Sequence, residues 1–187
     1  LNVTGKILAG DGSGGRLSKD FRTRKCGFGL VIVEPDLGDS IIRSSSNPAT
    51  PVLGFASGSV PGKQTVPRAE AVALLQALRT TSGNATFVCD NLGVVRRYKY
   101  CTKKQAGNNG LLWNLIVKAR EKRHSAGQGI LEVVWIPSHT TFENALNKSY
   151  ASLLVLLQKG IRLMASNVDR WQTPPNLPTL YCVGSWA

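Results

Sequence analysis

Ile7-Leu8-Ala9-Gly10-Asp11-Gly12-Ser13-Gly14-Gly15 is the stretch around which the rest of the chain is organised. Apolar and small residues lead into one acid, and a glycine-rich run follows at once. The pattern reads as a buried central strand that delivers Asp11 to its exposed end. A carboxylate held by a sheet and released by a Gly turn suits a divalent-metal site, because such ions take hard oxygen ligands. Asp-Gly-Ser-Gly is also a common turn sequence. What separates the two readings lies downstream.

The chain order is legible from periodicity. A basic loop, Arg16 to Lys25, leads to Cys26-Gly-Phe-Gly-Leu-Val-Ile-Val33, a β-branched run that Pro35 stops. Residues Glu34 to Pro51 are rich in Ser, Asp, Pro and Gly and read as a connection. Val52 to Val60 fits a third strand near an edge, so the opening is a meander. Pro67 suits the first turn of a helix whose apolar face carries Ala69, Val72, Ala73 and Leu78. Glu70 is placed in that first turn, where the helix dipole also favours an acid. Ala85-Thr-Phe-Val-Cys-Asp90 is a second buried strand ending in an acid, and a helix begins at Asn91. Asp90 thus reads either as a second strand-end ligand or as a helix N-cap.

A basic cluster follows, Arg96-Arg97-Tyr98-Lys99-Tyr100 with Lys103 and Lys104. Cations track phosphates and tyrosines stack on bases. Leu111 to His124 forms the next helix, ending in Lys118, Arg120, Lys122 and Arg123, and Gly127 and Gly129 close it. These nine cations are the candidate nucleic-acid-binding residues. Leu131 to Ile136 is the fifth strand, Pro137-Ser138-His139 a loop, and Phe142 to Lys159 a last helix. The order β-β-β-α-β-α-α-β-α predicts an α/β domain, a five-stranded mixed sheet flanked by helices. Residues 1–164 are expected to form that domain. A Pro- and aromatic-rich tail, 165–187, is expected to pack on it or on a partner.

Composition narrows the function. The 187 residues hold 23 Lys and Arg against 11 Asp and Glu, a net charge of +12. That excess points to a polyanionic partner, most often nucleic acid. Four scattered cysteines, Cys26, Cys89, Cys101 and Cys182, contain no Cys-x-x-Cys pair, which disfavours zinc and suits reduced core thiols. The apolar run Ala151 to Met164 is too short and too polar to span a bilayer, so no membrane insertion is expected. Leu1 stands where an initiator Met would, so the chain is expected to be processed or trimmed, or to begin upstream of Leu1. The basic charge and the absence of a secretory signal suggest the nucleus or the mitochondrion.

Taken together, these motifs resemble the type 1 ribonuclease H family over roughly residues 5 to 158. Asp11-Gly-Ser-Gly matches its first catalytic strand, and Gln64-Thr-Val-Pro-Arg-Ala-Glu70 its second motif. Cys89-Asp90-Asn91 matches the third, Leu112-Trp113 a helix that often carries Trp, and Val134-Trp-Ile-Pro-Ser-His139 the strand and loop bearing its histidine. The first two motifs are worded most like protist and retroelement copies. The resemblance implies an RNase H-like fold and two-metal hydrolysis of the RNA strand in an RNA–DNA hybrid. Two Mg2+ (or Mn2+) ions roughly 4 Å apart would be held by Asp11, Glu70 and Asp90. His139 would assist proton transfer or product release, and the Lys and Arg from Arg96 to Arg123 would grip the substrate.

One departure stands out. The family places a fourth acid about ten residues after the histidine, where this chain reads Phe142-Glu-Asn-Ala-Leu-Asn147-Lys148-Ser149. Asn147, Lys148 or Ser149 takes the acid's place, depending on the gap; Asn147 would be a weak amide-oxygen ligand, Glu143 comes early, and Lys148 adds positive charge. Two expectations follow. One is a hybrid-cleaving endonuclease; the other is a non-catalytic subunit that binds structured RNA or serves as a scaffold, with other proteins, in a ribonucleoprotein such as a mitochondrial ribosome.

Overall fold

A computed structural model describes residues 5–15, 19–22, 24–33, 52–101, 107 and 109–137. His139, Asn147, Lys103, Lys104, the expected last helix and the tail lie outside them. The elements run β1 (Lys6–Ser13), β2 (Gly27–Val33), β3 (Val52–Ser59), α1 (Val66–Thr80), β4 (Ala85–Cys89), α2 (Leu92–Tyr100), α3 (Gly110–Ser125) and β5 (Leu131–Trp135). The sheet order is β3-β2-β1-β4-β5. β1 pairs antiparallel with β2 and parallel with β4, and β5 is parallel to β4. Each parallel step needs a crossover, which α1 supplies into β4, and α2 with α3 into β5.

β1 is central and buried on both faces, since Ile7, Leu8 and Ala9 are all inaccessible. That is why its sequence is an apolar run and not an alternation. Leu8, Leu30, Phe87, Leu131 and Val133 share one core with Ala73, Leu74 and Ala77 of α1 and with Trp113, Ile116 and Val117 of α3. The small residues of α1 let it lie close on the sheet. Two glycines of β1 complete that fit. A Cβ on Gly10 would stand 2.5 Å from the Phe87 ring, and one on Gly12 would stand 2.6 Å from Ala69 Cβ and 2.8 Å from the Val66 carbonyl oxygen.

Side-chain clamps fix the entrance to α1. Gln64 accepts from Cys26 N (2.7 Å) and donates to the carbonyls of Val60 (2.7 Å) and Gly62 (2.8 Å). Arg68 donates to Pro61 O (2.8 Å) and to Asn109 Oδ1 (2.7 Å), joining the first turn of α1 to the start of α3. Cys26, Cys89 and Cys101 are buried, as expected of core cysteines. Among the described residues no helix is long and apolar enough to cross a membrane.

Candidate metal centre

The parallel register of β1 and β4 brings two acids level. Ala9 pairs with Val88, so Asp11 and Asp90 each lie two residues further along adjacent strands. The expected turn after Asp11 begins later than the sequence suggests. β1 continues through Gly12 and Ser13, which pair with Phe28 and Gly27, so Asp11 sits inside a strand and is buried. It passes the end of pairing on the β4 side only. Its Oδ1 accepts from Gly12 N at 2.7 Å.

Two local readings of the other acids are corrected. α1 starts at Val66 and has no acid in its first turn, so Glu70 stands in the second turn. It is 5% exposed, beside the point where Gly12 admits the helix. Its position therefore reflects packing and not the helix dipole. Asp90 is not the N-cap of α2. Asn91 takes that role, its Oδ1 accepting from Gly93 N (2.9 Å) and Val94 N (3.2 Å). The strand-end acid thus immediately precedes the cap, and the Asp90 carboxylate goes to the cluster.

One ligand oxygen from each of Asp11, Glu70 and Asp90 lies within 4.8 Å of the others. Three carboxylates so close repel one another when ionised, and burial adds to that cost. A divalent cation relieves both, and an all-oxygen donor set with two buried members fits Mg2+ or Mn2+. Cys89, directly beneath, offers no thiolate. Burial first, then the charge of Glu70, push its thiol above the ordinary 9.0, with Asp90 and Asp11 adding to the effect and a backbone hydrogen bond at Asn91 opposing it.

Sequence reasoning missed the supports of this cluster. The Trp135 indole Nε1 donates to Asp90 O at 3.0 Å, and Ile136 N donates to Cys89 O at 3.1 Å, tying the end of β5 to the end of β4. The β-strand signal at Leu131 to Ile136 located Trp135, but nothing local revealed its partner.

The basic residues divide into two groups. Arg96, Lys99, Lys118 and Lys122 are exposed. The other three described ones, Arg97, Arg120 and Arg123, are engaged with the fold to differing degrees. Arg97 lies 5.0 Å over the Trp113 ring. Arg120 stacks on Tyr98 at 5.3 Å and donates to the carbonyls of Tyr98 (2.7 Å) and Cys101 (2.9 Å). Arg123 departs from the expected binding row outright. It is 2% exposed and donates to the backbone carbonyls of Thr81, Gly83 and Gly129, stapling the α1–β4 loop to the end of α3. A guanidinium buried in this way has no edge left for a phosphate.

No protein-family model matches the chain, and no curated protein matches it in sequence. Solved structures do match. The RNase H domain of PFV superposes with a TM-score of 0.58 at 17% identity, covering 90% of this chain and 97% of that one. RNase H1 from the halophilic archaeon Halobacterium salinarum NRC-1 gives 0.55 at 14%, covering 88% and 97%. The Prototype Foamy Virus protease-reverse transcriptase gives 0.55 at 14%, covering 92% of this chain and 21% of that one. At such identities the likeness speaks for architecture. The mixed sheet, its strand order and its helices on one continuous chain give this protein an RNase H-like fold.

Proposed function

We propose that the chain is a divalent-metal-dependent nuclease that hydrolyses the RNA strand of an RNA–DNA hybrid. The observation that carries this reading is the meeting of Asp11, Glu70 and Asp90 within 4.8 Å at one end of the sheet. These three would hold Mg2+ or Mn2+. Such an ion, when bound, activates water as a nucleophile and offsets charge developing on phosphate oxygens. The protein's own contribution is placement. Asp11 is oriented by Gly12 N, Glu70 rides on a helix packed against Gly12, and Asp90 is set by the Trp135 indole and the Asn91 cap. Burial of Asp11 and Glu70 keeps water from competing for those oxygens. Exposed Arg96, Lys99, Lys118 and Lys122 supply the attraction for a polyanion. The hybrid as substrate, His139 as proton carrier and Asn147 as a further oxygen ligand rest on the family resemblance.

The test is hydrolysis of an end-labelled hybrid in Mg2+ and in Mn2+, beside duplex RNA and duplex DNA. Cleavage of the hybrid's RNA strand, abolished by chelation and by Asp11→Asn, is expected. Binding without turnover, or turnover indifferent to Asp11→Asn, overturns the proposal.

A further inference from the structure

Beside the acid cluster, α2 and β5 enclose a groove of about 540 Å³ lined by Leu92, Val95, Arg96, Lys99, Tyr100, Glu132, Val134 and Trp135. The α2 members recur at helical spacing and form one face. Leu92, Val95 and Val134 make an apolar floor. Two large aromatics line it with open surface, Trp135 at 42% exposure and Tyr100 at 79%. Arg96 and Lys99 are exposed, with Glu132 on the same lining. The volume is that of a small-ligand site.

The chemistry selects one kind of occupant. Aromatic faces beside exposed cations suit a base with its phosphate, since stacking tolerates any base and cations track the backbone. Glu132 adds an acceptor for an exocyclic amine. A base inside a duplex has its faces covered by its neighbours, so only an unpaired nucleotide can present one to Trp135 or Tyr100. The groove's lining also adjoins Asp90, which carries one of the carboxylates. Leu92 follows Asp90 by two residues, and Trp135 donates to Asp90 O.

We propose that this groove takes an unpaired nucleotide of the strand on which the acid cluster acts, its base against Trp135 and Tyr100 and its phosphate on Arg96 and Lys99. The inference rests on the reading of the cluster as a nucleic-acid site. It makes a hybrid with a single-stranded extension a better ligand than a blunt one.

The experiment uses the whole chain in chelator, so that nothing turns over. Fluorescence anisotropy compares blunt hybrids with hybrids of the same paired length carrying a short single-stranded extension, and 2-aminopurine in the extension reports stacking. The extension should tighten binding about tenfold and its fluorescence should be quenched. Tyr100→Ala with Lys99→Ala, both at exposed positions, should remove that preference while circular dichroism stays unchanged. Trp135→Phe, which keeps a ring, should retain most of it. Equal affinity for blunt and extended hybrids, an unquenched reporter, or a preference that survives the double substitution overturns the proposal. Those results would leave the groove to a peptide or to another occupant. Cleavage of the blunt hybrid in Mg2+, followed separately, tests the nuclease reading, so the two can fail independently.

Discussion

Asp90 and Asn91 divide two tasks between adjacent residues. Asn91 satisfies the first amides of α2, so Asp90 can join Asp11 and Glu70. Asn91→Ala removes the cap and should cost about 1 kcal/mol, read as a lowered midpoint in urea. It should also weaken divalent binding, because the corner that aims Asp90 loses its anchor. Unchanged titration calorimetry in Mn2+ would separate the cap from the site. Tyr98 offers a test with a pH signature. Its hydroxyl donates to Leu131 O at 2.9 Å, and burial raises its pKa above 10.0 although Arg120 and Arg123 pull the other way. The unfolded chain therefore releases this proton first. The resulting stability is complete below about pH 10 and declines as pH rises through the folded value. Tyr98→Phe should lose about 1 kcal/mol at neutral pH and show a shallower alkaline decline. Urea unfolding from pH 7 to 11 checks it, and parallel curves for the two proteins would count against it.

At the scale of elements, the site depends on how closely α1 lies on β1. Gly12→Ala puts a methyl 2.8 Å from the Val66 carbonyl oxygen and 3.0 Å from Glu70 N, both backbone atoms of the helix that carries Glu70. The helix must shift, at a cost of roughly 1–3 kcal/mol. Divalent affinity should fall several-fold with all three acids in place, measurable by calorimetry against Asp11→Asn. The elements themselves were legible because their signals are local: Ala69, Val72, Ala73 and Leu78 repeat at helical spacing, and the β1 run Ile7 to Ala9 is buried on both faces. The candidate acids were legible too, as strand-end and early-helix carboxylates. Their roles in detail were not. Spacing along the chain is silent on the parallel register that levels Asp11 with Asp90, and on where a helix begins to within a turn, which misplaced Glu70. Arg123 was misread for a related reason. In sequence it ends a row of cations on one helix, whereas its carbonyl partners come from a loop some forty residues earlier and from Gly129.

For the whole molecule, the net charge of +12 is a statement about long-range attraction and not about fold. Its reach depends on which cations face solvent, and the structure separates these among the residues from Arg96 to Arg123. Binding to a hybrid should weaken linearly in log–log coordinates as salt rises, each phosphate contact contributing about 0.7–0.9 to the slope. Arg96→Ala and Lys99→Ala should each reduce the slope by about that amount and leave the melting temperature within a degree or two. Arg123→Met carries the same formal charge change and should behave oppositely. It strands the carbonyls of Thr81, Gly83 and Gly129, three acceptors that one guanidinium now satisfies. The Thr81 carbonyl is buried and the other two are open enough to be hydrated, so a loss of about 1–3 kcal/mol follows. For a chain of this size that is a fall of roughly 2–12 °C in Tm. The salt slope of the surviving folded protein, measured well below its Tm, should match the parent. If the slope drops while Tm holds, Arg123 reaches the nucleic acid after all, and the staple between the α1–β4 loop and α3 must open to let it.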